Sequence, residues 1–181
     1  VTSKYMLLIN PDNTLPQDAL QAMIAVLETY PDAGIVGPAL VHPGGSVRPS
    51  ARQFPKMIDL LGKRLFPDAW QKSYEQWMQT IERSEAVEID WLVGACLLMR
   101  TDLLRSLGGF DPQFFLFFED IDLCRRVWER GKKVLYLPRI RVPDQRNRLS
   151  GSSIFSLLRR QTTWIHVASA LKYFWKWRGK P

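Results

Sequence analysis

The sequence contains few residues of the kinds that build disulfide frameworks or zinc sites. It has two cysteines and two histidines among 181 residues, and Cys96 and Cys124 do not have the spacing of metal ligands. Both lie in apolar segments, which predicts small core residues and a reducing compartment. We therefore exclude a disulfide-stapled or zinc-finger protein.

The chain also lacks internal repeats, low-complexity stretches and long apolar runs. No run is long enough to cross a bilayer, and the twelve prolines and eleven glycines are spread along the sequence. Hydrophobic residues make up 46% of the chain and charged residues 24%, as in ordinary globular proteins. Its length predicts one domain with a substantial core.

Acidic residues are scarce in the last part of the chain, and much of the net charge of +7 lies there. No helix-turn-helix, zinc or RNA-binding sheet motif accompanies this charge, so we expect no nucleic-acid partner. Residues 151–181 are predicted to be a basic, Trp-rich amphipathic helical tail, separate from the domain in 1–150. Two interpretations of the tail remain open: a helix at a membrane interface, or a terminal helix packed on the domain with a basic outer face.

Apolar runs and amphipathic segments alternate in the remainder of the chain. The order strand (5–9), helix (16–30), strand (35–37) predicts a parallel α/β unit. Pro138 is expected to end a later strand that begins at Val134. Further segments are predicted as helices at 57–66, 71–83 and 101–107, and as strands within 87–99. A last helix is predicted to start at Asp120 or Ile121 and to stop at Gly131.

Polar side chains follow the first predicted strand directly. Asn10 and Asp12 stand two residues apart in an Asn-Pro-Asp-Asn turn. Ligands of open α/β sheets bind at the carboxyl ends of strands, and these two residues place side-chain oxygens there. The alternative is a plain Asx turn, which turn preferences alone favour.

A second acidic cluster follows a row of aromatic residues. Phe-Phe-Leu-Phe-Phe, at 114–118, leads into Glu119, Asp120 and Asp122 at a predicted helix start. Acidic residues there also cap free amides and interact favourably with the helix dipole, so a structural role competes with a catalytic one. Packing three carboxylates together raises their mutual repulsion, which requires a compensating gain.

Three motifs in this order resemble those of family 2 glycosyltransferases of the GT-A fold, particularly the rhamnosyltransferase-like enzymes of bacterial surface polysaccharide synthesis. The first, 7–13 (Leu-Leu-Ile-Asn-Pro-Asp-Asn), is similar to the D-x-D metal motif. The second is 91–100 (Trp-Leu-Val-Gly-Ala-Cys-Leu-Leu-Met-Arg), followed by Gly-Gly-Phe-Asp at 108–111. The third is 117–126 (Phe-Phe-Glu-Asp-Ile-Asp-Leu-Cys-Arg-Arg).

The resemblance, over residues 4–138, implies a Rossmann-like α/β fold with a mostly parallel sheet and flanking helices. The nucleotide-binding strands that open such domains have no counterpart here. Residues 1–150 are therefore expected to form the C-terminal portion of a GT-A domain.

The same resemblance implies roles for the acidic residues. Asp12, with Asn10, would hold Mn²⁺ or Mg²⁺ against the diphosphate of a dTDP- or UDP-sugar. Asp120 would be the base that deprotonates the acceptor hydroxyl, with Glu119 as the neighbour that holds or tunes it.

Other positions are expected to contact donor or acceptor, namely Trp91, Gly94, Ala95 and Asp122. Many relatives carry a metal-binding histidine after the Tyr-Leu-Pro strand, but this chain has none there. Asp144 is a candidate oxygen ligand in its place, and the alternative is that this ligand is lost. His42 and His166 are expected to be structural.

The expected function is inverting transfer of a sugar, such as rhamnose, to a lipid-linked or saccharide acceptor. The expected location is the cytoplasmic face of the bacterial plasma membrane, with peripheral contact through the tail. The alternative is a non-catalytic glycosyltransferase-like module for binding or assembly. The missing nucleotide-binding half favours this alternative, and the retention of Asp12, Glu119 and Asp120 disfavours it.

Overall fold

The computed structural model describes residues 2–56, 67–145 and 154–179. The side chains of 67, 70 and 154–163 are not among those described. The helix predicted over 57–66 lies outside the described residues.

The described residues form seven strands and five helices in a mixed α/β order. Along the chain these are β1 (Tyr5–Ile9), α1 (Gln17–Thr29), β2 (Ala33–Val41), β3 (Ala51–Arg52), α2 (Pro67–Ile81), β4 (Val87–Glu88), β5 (Trp91–Leu92), β6 (Cys96–Arg100), α3 (Thr101–Ser106), α4 (Glu119–Glu129), β7 (Lys133–Pro143) and α5 (Ile154–Lys176).

Five strands form the main sheet in the order β1-β6-β2-β7-β4. β1 and β2 run in the same direction, as the strand-helix-strand pattern predicts, but β6 lies between them and is antiparallel to both. β2 and β7 are the one parallel pair among the described strands, and β4 is antiparallel to β7. The expectation of a mostly parallel sheet is therefore wrong, because local periodicity does not show that a later strand inserts between two earlier ones.

Pro138 does not end β7, which continues to Pro143. The pairing of β2 with β7 shifts register where Leu137 is followed by Arg141 as the next paired residue. Such an irregularity accommodates a proline, which has no N–H to contribute to the ladder. β7 thereby stays paired with β2 as far as Pro143 and brings Asp144 to the end of the sheet.

Hydrophobic clusters cover both faces of this sheet. Along β2, Ile35 belongs to the cluster that includes α4 and α5, whereas Val36 belongs to the cluster that includes α1. Successive strand residues point to opposite faces, so a strand covered on both sides is apolar without interruption. No helix of the described residues is long and apolar enough to pass through a lipid bilayer.

Gly34 lets two helices approach β2 closely. A Cβ placed there would lie 2.6 Å from Leu103 Cδ2 and 2.8 Å from Val127 Cγ1. Leu103 belongs to α3 and Val127 to α4, so this approach helps to set α4, which carries the acidic cluster, against the sheet.

We expect Gly34→Ala to lower the free energy of unfolding by about 1–3 kcal/mol, because an added methyl group overpacks this contact. Gly44→Ala is the matched control, since a Cβ at Gly44 meets nothing within 4 Å and the change should stay within about 0.5 kcal/mol. Urea unfolding of both variants measures the difference. Equal stabilities would contradict the packing described here.

Candidate active site

A turn between β5 and β6 joins the two acidic motifs. The Gly94 N–H donates a hydrogen bond to Asp120 Oδ2 at 2.9 Å. The next carbonyl, of Ala95, accepts one from the Asn10 N–H at 2.9 Å and one from Asn13 Nδ2 at 3.0 Å. The structure therefore brings the predicted base, the predicted metal loop and the predicted Gly94-Ala95 segment to one place.

This arrangement depends on the absence of a side chain at Gly94. A Cβ there would lie 3.3 Å from the Cβ of Asp120 and 3.7 Å from both its Oδ2 and Leu8 Cδ2. The first distance is tighter than ordinary van der Waals contact. Glycine in an apolar run thus marks a close approach of another chain segment.

Two left-handed residues turn the chain into α4 just before the acidic pair. Phe117 has φ of +65° and Phe118 has φ of +68°, values that are unusual for residues with a side chain. Asp120 Oδ1 then accepts a hydrogen bond from the Ile121 N–H at 2.8 Å. The carboxylate of Asp120 is consequently held by two backbone amides, one local and one from Gly94.

The pKa values of both acidic residues are raised. Burial raises the pKa of Asp120, opposed by the hydrogen bonds from Gly94 and Ile121 and by the positive charge of Arg52. Burial also raises the pKa of Glu119, and the charge of Asp120 adds to the effect. Glu119 Oε2 is buried without a hydrogen-bond partner. A carboxylate with a raised pKa is a stronger base.

Arg52 is a residue near the acidic pair that is not among the site residues predicted from the sequence. Its guanidinium lies 5.3 Å from the centre of the Trp91 ring, and its Nε donates to the Pro49 carbonyl at 3.0 Å. Burial lowers its pKa, and the charge of Asp120 opposes that change. The sequence signal for Arg52 was only that a basic residue precedes a Phe-Pro segment. That signal does not show which carboxylate Arg52 interacts with.

The Asn10–Asn13 turn lies against the end of β7. The Gln145 N–H donates to the Asp12 carbonyl at 3.0 Å, and Asn13 forms an isolated bridge with Asp144. The structure thus brings Asp144, the candidate ligand, next to this turn. Its Oδ2, however, accepts a 2.7 Å hydrogen bond from Arg48 Nη1, and its side chain is fully buried.

Two oxygens at this turn have no partner. Asn13 Oδ1 and Asp144 Oδ1 are both buried and make no hydrogen bond. In the described part of the chain, no group of three or more His, Cys, Asp or Glu residues could hold a metal by itself. Magnesium commonly binds one or two carboxylates together with substrate phosphates, so the oxygens here fit a cation that shares its ligands with a diphosphate.

A cleft of about 500 Å³ opens beside the same turn. Gln145, whose N–H bonds to Asp12, is part of its wall. The cleft is lined by Val41, His42, Pro43, Gly45, Pro143, Asp144 and Gln145.

Two predicted contact residues lie in the interior instead. Trp91 is 6% exposed, and its Nε1–H donates to the Gln53 carbonyl at 2.8 Å. The side chain of Asp122 is fully buried, with its oxygens engaged by Arg126, by Trp177 and, in an ion pair, by Lys176. The structure does not bring Asp122 to the site, because as the fourth residue of α4 it points toward α5.

Comparison with known families agrees with the motifs. The family model described as "Glycosyltransferase like family 2" matches residues 1–166. The chain belongs to this family.

Relatives of this family 2 glycosyltransferase include curated rhamnosyltransferases. The N-acetylglucosaminyl-diphospho-decaprenol L-rhamnosyltransferase of Mycobacterium tuberculosis is 31% identical over 179 residues, covering 95% of this chain and 57% of that protein. Rhamnosyltransferase WbbL of Escherichia coli K12 is 28% identical over 135 residues, covering 74% of this chain and 49% of that protein. The chain spans about half the length of the curated relatives it matches.

Solved structures confirm the GT-A fold. GalNAc-T7, crystallised with UDP, GalNAc and Mn²⁺, has a TM-score of 0.55 at 15% identity. The match covers 83% of this chain and 29% of GalNAc-T7. The mannosyltransferase PcManGT of Pyrobaculum calidifontis, in complex with GDP-Man and Mn²⁺, has a TM-score of 0.54 at 16% identity. The match covers 95% of this chain and 40% of PcManGT. The α/β class and the resemblance to rhamnosyltransferase-like enzymes are thus confirmed.

We expect the amide resonance of Gly94 to report the ionisation of Asp120, because the two groups share a hydrogen bond. Its pH titration should have a midpoint above the usual aspartate pKa of about 3.9. Arg52→Gln should move the midpoint higher still, since it removes a positive charge that favours the carboxylate. The measurement is a pH series of ¹H–¹⁵N spectra.

Asp120→Asn is the control for this titration and should abolish it. A wild-type midpoint at or below the usual value would contradict the electrostatics described above. A midpoint unaffected by Arg52→Gln would contradict the assigned influence of Arg52.

Proposed function

We propose that this chain belongs to an inverting glycosyltransferase that moves a sugar from a nucleotide-sugar donor to a lipid-linked or saccharide acceptor. The observation that carries the proposal is the Gly94 turn, which holds Asp120 on one side and the Asn10–Asn13 loop on the other. Rhamnose is the proposed sugar, because the curated relatives are named as rhamnosyltransferases.

Asp120 is the proposed general base. Its carboxylate removes the proton from an acceptor hydroxyl while that oxygen attacks the anomeric carbon of the donor. The bond between this carbon and the diphosphate oxygen breaks, the diphosphate departs with the bonding electrons, and the configuration inverts. The raised pKa of Asp120 suits this carboxylate to accept the proton. The Oε2 atom of Glu119 is buried and makes no hydrogen bond, so no hydrogen bond directs this oxygen away from Asp120.

Asp12 and Asn10 are the proposed protein ligands of Mn²⁺ or Mg²⁺. Such an ion would neutralise negative charge on the departing diphosphate. The unpartnered oxygens of Asn13 and Asp144 offer further ligands of the right chemistry. The salt bridge with Arg48 leaves Asp144 little net charge for this purpose.

Asp120→Asn should abolish sugar transfer while leaving metal-dependent donor binding intact, because it removes the base but keeps the shape of the site. Transfer is measured with dTDP- and UDP-sugars in the full protein, and binding by calorimetric titration with and without Mn²⁺. Asp12→Asn is the matched comparison, with the same chemical change, and should weaken binding itself. Unchanged turnover in Asp120→Asn would exclude Asp120 as the base.

Binding by the wild type without any transfer would favour a non-catalytic glycosyltransferase-like module. That outcome would leave the fold and family intact. It would remove the activity assigned to the carboxylates.

We also propose peripheral contact of α5 with the cytoplasmic face of the plasma membrane, where a lipid-linked acceptor is found. Four apolar side chains, at helical spacing, form its exposed side: Trp164, Val167, Leu171 and Trp175, at 73%, 41%, 63% and 68% exposure. The opposite side packs on the domain through buried Tyr173 and Trp177. Arg178 adds positive charge beside Trp175, and aromatic and basic residues together are typical of interfacial helices.

Replacing Trp164, Leu171 and Trp175 together by Gln should release the protein from anionic liposomes, because it removes apolar area without touching the packed side. Deleting the whole tail would not be informative, since it would also remove buried Tyr173 and Trp177. Tyr30→Gln, which changes an exposed aromatic residue (38% exposed) after α1, is the control. Equal sedimentation of the triple variant and the wild type would contradict membrane contact.

A further inference from the structure

The loop before the acidic pair has a conformation that its own sequence does not favour. Phe117 and Phe118 are consecutive left-handed residues, and such a conformation persists in residues with a side chain only when the surrounding structure imposes it. The helix cap at Phe118 has no side-chain hydrogen bond to compensate. The contacts that hold Glu119 and Asp120 in place therefore come from elsewhere in the fold.

α5 supplies contacts along this loop. Ser169 Oγ donates to the Leu116 carbonyl at 2.8 Å, and Lys172 Nζ donates to the Gln113 carbonyl at 3.0 Å. Both contacts are with main-chain oxygens, so they fix the path of the loop independently of its side chains.

Aromatic rings of α5 also cover the two strained residues. The His166 ring lies 4.9 Å from the Phe117 ring and 5.4 Å from the Phe118 ring, between centres. The Tyr173 ring lies 5.3 Å from that of Phe118. Both Phe118 and Tyr173 are buried, which makes this packing part of the core.

A buried polar network continues the connection into the first turn of α4. Asp122 Oδ1 accepts from Trp177 Nε1 at 2.9 Å and pairs with Lys176 Nζ at 2.7 Å. Asp122 Oδ2 pairs with Arg126 Nε at 2.8 Å. Lys176 also pairs with Asp111 at 2.7 Å, so two carboxylates and two cations balance one another.

This network has no surplus charge and little access to water. The side chain of Asp122 is 0% exposed, and those of Lys176 and Asp111 are 26% and 22% exposed. Removing one partner from such a buried group leaves a desolvated charge uncompensated. The network therefore resists displacement of α4 relative to α5.

We propose that Lys176, the last residue of α5, and Trp177, which follows it, are positioning residues that act through Asp122 to hold Asp120 against Gly94. Asp122 and Asp120 lie two residues apart in the same helical turn, so a shift of one backbone position moves the other. The catalytic meaning of this proposal rests on the proposed function. The effect on position concerns the hydrogen bond between the Gly94 amide and Asp120, which can be measured without an activity assay.

The test compares Lys176→Met and Trp177→Phe with the wild type in the full protein. Each variant keeps the apolar bulk and removes a donor to Asp122. We expect kcat to fall between about 10-fold and 100-fold, as misplacement of a catalytic group does, while the donor KM changes much less than kcat. The Gly94 amide resonance should shift in both variants, and Lys176→Arg should restore it in part.

Lys133→Met is the matched control, because Lys133 also pairs with two carboxylates, Asp32 at 2.9 Å and Glu88 at 3.2 Å. It should lower the melting temperature without changing kcat or the Gly94 resonance. Unchanged kcat and Gly94 resonance in both α5 variants would overturn the proposal and leave α5 a purely structural helix. If the wild type transfers no sugar, the proposed function fails, and the Gly94 resonance alone still decides whether α5 positions Asp120.

Discussion

The hydrogen bond from the Gly94 amide to the Asp120 carboxylate is the contact on which the candidate site depends. It requires three things of the fold: a residue without a side chain after β5, a sharp entry into α4, and a helix pressed close to the sheet. Gly94, the left-handed pair Phe117–Phe118 and the close packing at Gly34 supply them in turn. Because the neighbouring Ala95 carbonyl holds the Asn10–Asn13 turn, a displacement of Asp120 would also reach the loop proposed to bind the donor.

Two carboxylates in one helical turn have opposite surroundings. Asp120 is held by backbone amides and only influenced by Arg52, and its pKa is raised. Asp122 is enclosed by Arg126, Lys176 and Trp177 and has no face toward the site. Environment, and not residue type, separates the carboxylate held at the candidate site from the one that joins two helices. The same contrast explains why an acidic cluster read from sequence overstates the number of reactive groups.

The sequence was sufficient for features that depend on local pattern. The apolar run 5–9 predicted β1, the acidic cluster predicted the start of α4, and three ordered motifs predicted the family. Features that depend on distant partners could not be predicted in this way. The insertion of β6 between β1 and β2, the pairing of Asp144 with Arg48 and the burial of Asp122 against α5 each require knowledge of which segments meet. The tail shows the limit of local pattern. Its amphipathic sequence allowed two alternatives, and α5 has both a packed side and an exposed apolar side.

The contact between Trp177 and Asp122 spans 55 residues of sequence, and this separation has a consequence for biosynthesis. A ribosome releases the sheet, the Gly94 turn and the acidic loop before it releases the end of α5. During that interval the two left-handed phenylalanines lack the rings and hydrogen bonds that stabilise them. The contacts that order the acidic loop can therefore form only after the last residues of this segment have emerged, which makes the ordering of the carboxylates a late step of synthesis.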